Sequence, residues 1–351
     1  MCLTSWMRTV FSGLLFVVGL TAGPGSAMEL ATGSFIGNAT ADRAISGLGF
    51  PPEVVIVHSS STIWGDPLIR TSTTTGGAKS MSNNSVLSTG LITSLDADGF
   101  TVSGHPRVNT NGELVHWIAF GEVDAGFAVG TYVGDGSTTS IDISDTSSSP
   151  DFQSDYLILI SEAALAPLQT LKHDGSVIST LFGFTGAVAA GGDVADLIAT
   201  GFTLNSGARS NEDGTRFHYV AWRERPGTSV GTFAGDGVAG DLAVTVPFQP
   251  DVVSVTRATC CVKSRYRLDT LAADESFFYS NQATTTDAIK SFTPSGFVVG
   301  DSADVNQAST HLFVAWGQIP PAVPSFSAGG LTLLGLAMTG VALGVGRRWL
   351  F

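Results

Sequence analysis

Charge is scarce in this chain. Only 13% of its 351 residues are Asp, Glu, Lys or Arg, with 17 basic against 30 acidic. The net charge of -13 repels phosphate and argues against nucleic acid as a partner. Cysteine is nearly missing too: Cys2, Cys260 and Cys261 are all there is. They offer no disulfide framework and no zinc-ligand spacing. Adjacent cysteines cannot form an ordinary bridge, which needs separated Cα atoms. A strained vicinal disulfide and a pair of thiols both stay open for Cys260 and Cys261. Helical periodicity is hard to find outside the two ends. There is no P-loop lysine, no HExxH and no CxxC.

What is abundant points one way. The 42 glycines and the long Ser/Thr/Asn/Asp stretches are the composition of short strands joined by turns. A hydrophobic content of 43% is ample for a core. Length alone suggests two domains at about 150 residues each. Internal repeats revise that to three.

Four landmarks recur in one order. The first is a Gly-rich opener: GSFIGNA from Gly33, GTYVGDG from Gly130 and GTFAGDG from Gly231. The second is an apolar strand opened by Phe50, Phe152 or Phe248, with an acid in fourth position (Glu53, Asp155, Asp251). The third is a Gly-Phe strand, GFTV, GFTL or GFVV, followed nine residues after its Phe by Asn109, Asn211 or Asn306. The fourth is a closing strand: VHWIAF (115–120), FHYVAW (217–222) and LFVAW (312–316). Phe50 to Phe152 is 102 residues and Phe152 to Phe248 is 96; Phe100 to Phe202 is 102 and Phe202 to Phe297 is 95. The matched intervals indicate triplication of a unit of about 100 residues, the size of a small β-sandwich.

Runs such as VVIV, LILI and VVSV suit core strands. The closing strand alternates, with Val115, Trp117 and Ala119 on one face and His116, Ile118 and Phe120 on the other. DADG (96–99) and NEDG (211–214) are turn sequences in which Gly supplies positive φ. The expected fold is all-β: three tandem antiparallel β-sandwich modules at 28–126, 127–227 and 228–319. An N-terminal signal helix (1–27) and a C-terminal transmembrane helix within 320–351 flank them.

Both ends read as targeting segments. Arg8 precedes the apolar run VFSGLLFVVGL, and Gly25-Ser26-Ala27 suits a signal peptidase cutting after Ala27. At the other end an uncharged apolar stretch (328–346) precedes Arg347 and Arg348. It is long enough to cross a bilayer, with the arginines on the cytoplasmic side. Val323, Pro324, Ser325 and Phe326, the following Gly-Leu-rich span and the terminal arginine pair resemble the IPTL-CTERM and PEP-CTERM sorting tails of exported Gram-negative proteins. Ser325-Phe326 stands where the PEP form has Glu-Pro, so the IPTL form fits better. The resemblance implies recognition by an exosortase-type membrane transpeptidase, after an inner-membrane-anchored stage, and delivery to the cell surface or beyond. A plain membrane anchor is the simpler reading.

The strand order LGFPPEVVIV, DGFTVSG, HWIAFG resembles the H-type lectin module. The GTYxGDG, GFxPDxV and GFxV blocks resemble β-rich modules of phage tails and bacterial surface proteins. The first resemblance implies binding of N-acetylgalactosamine-type sugars by trimers, a state three modules in one chain could mimic. It transfers no sugar-contact residue.

The candidate chemistry is sparse. GTYVGDG is followed by STTSIDIS, which alternates like a strand, and its acid repels phosphate, so the opener is no nucleotide loop. Calcium would need several oxygen ligands; Asp135, Asp142, Asp145, Asp236 and Asp241 lack the spacing of known loops, so no cofactor is expected. Ser302 in GDSAD sits in an ordinary loop position. His116 and His218 precede Trp117 and Tyr219, and in copy three the position is Leu312. With Asn109, Asn211 and Asn306 they form the candidate binding set, polar and aromatic groups on a half-exposed strand face that could stack on a surface glycan. A scaffold triplicated without a nucleophile suggests a non-enzymatic structural or adhesive protein, with a lectin as the alternative.

Overall fold

The computed structural model describes residues 29–60, 63, 65–121, 126–142, 152–182, 193–258 and 264–318. The expected signal segment, the expected C-terminal transmembrane segment and the Cys260–Cys261 pair lie outside these residues. Among the described residues no helix is long and apolar enough to cross a membrane. The chain is mostly β, in antiparallel sheets, and each repeat contributes one large and one small sheet.

The repeats share one topology. In the first, the opening strand (Glu29–Ile36) lies at the sheet edge beside the closing strand (Leu114–Gly121). The closing strand pairs in turn with the Phe-opened core strand (Val54–Ser59), and a hairpin (Leu68–Thr71, Gly77–Ser80) extends the sheet. The small sheet holds Arg43–Ser46, the Gly-Phe strand (Gly99–Val102) and its hairpin partner Ile92–Asp96. The same order recurs around the closing strands Arg216–Trp222 and Thr310–Trp316. The turn reading of NEDG holds, since Gly214 has φ +73°.

The glycine that opens each module is required by space. Gly33, Gly130 and Gly231 lie opposite Trp117, Tyr219 and Phe313 on the closing strands. A Cβ there would come within 2.2, 2.3 and 2.7 Å of the facing ring. Each glycine therefore lets an aromatic ring lie flat across its own strand, as in aromatic cover of edge glycines.

Strand alternation sends the two faces of each large sheet to different cores. Val115, Ala119, Val55, Val57 and Phe100 fill the first sandwich, and equivalent residues fill the second and third. The opposite faces meet in a fourth cluster drawn from all three modules, including Ile118, Phe120, Val220, Trp222, Val314 and Trp316. At its centre the last aromatic residues of the three closing strands form a triangle. Ring centroids are 5.3 Å apart for Phe120–Trp222, 5.3 Å for Phe120–Trp316 and 5.4 Å for Trp222–Trp316, with steep interplanar angles. Near-equal sides mark a pseudo-threefold axis. The modules are a closed trio around shared apolar packing.

Candidate functional site

The candidate asparagines and histidines sit in two places that the repeat generates: the loop after the opening strand, and the seam between neighbouring modules.

Asn109, Asn211 and Asn306 each end a one-turn helix and are almost wholly buried. Their side-chain oxygens accept from the backbone N–H of Asn38, Asp135 and Asp236 at 2.9, 3.0 and 3.0 Å. Their backbone oxygens accept from the next residue, Ala39, Gly136 or Gly237. In copy two the Asn211 amide also donates to the Asp135 carboxylate at 2.8 Å and to the Ser137 carbonyl. The Ser137 N–H and then the Asn211 amide, both donating to it, hold the Asp135 carboxyl below the usual range. The Gly-Asp-Gly loop is thus clamped from within by the asparagine of its own module. In copy three the Asn306 amide nitrogen makes no hydrogen bond.

The histidines lie at the seams. His116 and His218 are 2% and 1% exposed, so the half-exposed face expected for this strand is an internal one. A neighbouring module covers it. The His116 ring meets the Thr270 hydroxyl of module three at 3.0 Å, and the His218 ring meets Thr73 of module one at 3.0 Å. Thr73 and Thr270 occupy the same position, just past the third strand of their large sheets. Each module passes a turn to the closing strand of the next. Tyr219 is buried in the core of module two, and Trp117 is half-buried over Gly33 in module one. Neither ring is presented as an open stacking platform. Val323, Pro324, Ser325, Phe326, Arg347 and Arg348 lie outside the described residues.

Further groups join the seams. His58 bonds to Tyr266 of module three, and its ring centroid is 4.0 Å from that of Phe277. Burial, with repulsion from His116, lowers its pKa to about 3, and burial lowers that of His116 to about 4. Burial also lowers His218, against the opposing pull of Glu162 at 3.1 Å. The Lys79 side chain is buried in module one and donates across the first-to-second seam to the carbonyls of Ser161 (2.7 Å) and Ala163 (2.6 Å), and to Ser85 in its own module. Burial brings its pKa down to about 8. Composition and spacing gave no sign of Lys79 or His58. Their signal lies in a neighbour that only the assembled trio brings near.

No protein-family model and no curated protein matches this chain.

Of the turn acids, Asp236 accepts from the Val238 N–H at 2.9 Å and Asp241 pairs with Lys290 at 2.9 Å. The Asp142 side chain and Asp145 lie outside the described residues. Among the described residues no group of three or more His, Cys, Asp or Glu side chains is placed to hold a metal ion. The strand-opening acids act on the backbone: Asp155 and Asp251 accept from the N–H of Glu224 (2.6 Å) and Gln318 (2.7 Å), capping the chain as it leaves the closing strands.

Proposed function

We propose that this chain is an exported structural or adhesive protein of the cell surface or extracellular matrix, without enzymatic activity. Its signal segment (1–27) directs export, and its tail (320–351) spans the inner membrane before an exosortase-type transpeptidase attaches or releases the body. One observation supports the non-catalytic reading above others. The polar side chains that recur between modules serve the scaffold: the asparagines clamp loops, and His116 and His218 join modules. Surface proteolysis of intact cells and mass spectrometry of the mature C-terminus test this. Body peptides released from the outside with a new C-terminus before Arg347 are expected; a cytoplasmic body or an intact Phe351 overturns export or processing respectively.

A lectin is the second reading, favoured by closure of the three modules about a pseudo-threefold axis. That is the assembly the H-type lectin resemblance implies. Saturable binding of the mature protein on a glycan array is expected in that case, and none if its role is purely structural.

A further inference from the structure

The three seams are not alike. At two of them a turn threonine meets a strand histidine: Thr73 with His218, and Thr270 with His116. At the seam of module two with module three the same positions carry His173 and Leu312. The histidine has crossed to the other side of the joint, and a leucine faces it. A leucine offers nothing to a ring nitrogen. His173 turns instead to Asp174, 3.3 Å away, and a cleft of about 220 Å³ opens between the modules. At the third-to-first seam, a void lined by His58, His116, Tyr266 and Leu268 among others has no room for a water molecule.

The cleft has a definite chemistry. Leu171, Ile178 and Leu312 give it an aliphatic floor, and no aromatic ring other than the His173 imidazole lines it. A flexible alkyl chain fits that floor better than a flat ring. Its polar lining is Asp174, Ser176, Thr232 and Thr310 beside His173, and no Lys or Arg is among the lining residues. Asp174 and Gly175, with φ of +49° and +77°, form the two-residue turn of the hairpin, which places the acid at the edge of the cleft. An ammonium carries three donors and needs as many acceptors. The lining carries one carboxylate and three hydroxyl side chains, acceptors of the kind an ammonium needs. The net charge of -13 draws cations toward the molecule. The volume equals about seven waters at ~30 Å³ each, small for a drug-sized ligand and ample for a short chain.

We propose that this cleft binds an alkylammonium group, a short aliphatic chain ending in a primary ammonium, from either a free amine or a lysine side chain of a partner. Calorimetry and ligand-observed NMR on the mature protein test it with three probes: n-butylammonium, a doubly blocked lysine, and 1-butanol as the neutral match. Butylammonium is expected to bind at about millimolar Kd, the range open to so small a ligand. Butanol should bind at least threefold more weakly. Blocked lysine binding as well as butylammonium identifies a protein side chain as the source; butylammonium alone identifies a free amine. Asp174→Asn, an exposed change that leaves packing intact, should weaken butylammonium about threefold to fivefold. The double exchange His173→Thr with Leu312→His rebuilds the residue pair of the other two seams, and should lower affinity more than tenfold. Equal binding of butanol, no effect of Asp174→Asn, or unchanged binding after the exchange would each overturn the assignment.

Discussion

Replacing Trp222 by alanine tests whether the modules are one cooperative body. Trp222 is fully buried, yet half of its aromatic neighbours belong to other modules. Its ring centroid lies 5.3 Å from that of Phe120 in module one, 5.4 Å from Trp316 in module three, and 5.4 and 5.5 Å from Tyr156 and Phe127 at home. Truncating a buried tryptophan costs about 3–5 kcal/mol through lost transfer energy and the void left behind. That range already contains the ring–ring contribution, about 0.5–1.5 kcal/mol per pair when measured separately. If the described body unfolds as a unit, its unfolding entropy at about 2.1 cal/mol/K per residue sums to ~0.6 kcal/mol/K. The melting temperature then drops by about 5–8 °C. Phe202→Ala is the control, because Phe202 is equally buried but belongs to the private core of module two. Scanning calorimetry should show the Trp222→Ala endotherm broadening or splitting as the modules uncouple. Phe202→Ala should first melt module two. A loss under 1 kcal/mol for Trp222→Ala, with a single sharp transition, would refute the shared core as the source of cohesion.

Acid should loosen the third-to-first seam. Unfolded, His58 and His116 protonate near 6.5; folded, they resist down to about 3 and about 4. The unfolded chain binds more protons in that window, so stability is full above about 6.5 and falls as pH drops toward 3. His116→Leu, the residue module three already uses, should shift the acid midpoint downward while costing about 1 kcal/mol at neutral pH from the orphaned Thr270 hydroxyl; circular dichroism against pH reads both. Asn211→Ala should cost about 1–3 kcal/mol and speed amide exchange around 134–137, with the loops of the other modules unchanged. Lys79→Met strips the donor from two carbonyls across a seam and should cost about 1–3 kcal/mol in urea titration; an unchanged midpoint would deny the lysine its role.

The recurring antiparallel strands were legible in sequence because their landmarks are dictated by backbone and packing. Gly130 is glycine because Tyr219 lies on it, and Asn211 recurs because the Gly-Asp-Gly loop needs a clamp. The alternation of the closing strand was legible too, down to which residues share a face. The identity of what covers the second face was not. A histidine between apolar neighbours marks water or a polar partner equally well, and the partner of His116 is Thr270, 154 positions away. Leu312 looked like a simple loss of histidine. Aligning Thr73, His173 and Thr270 shows a compensating gain across the joint, a signal that gains meaning only once the turns are known to meet the strands.

Closure of the trio also bears on ancestry and on what fusion makes possible. Three separate copies of one module, assembled the same way, would be bound by symmetry: whatever one joint contains, all three contain. Joining the copies in a single polypeptide removes that constraint. Drift at one joint no longer repeats itself at the others, so two can keep the load of cohesion while the third diverges. Repeat number, by contrast, is frozen. A gene losing or gaining one copy leaves an unmatched turn and an unmatched strand, and the aromatic triangle of Phe120, Trp222 and Trp316 cannot form.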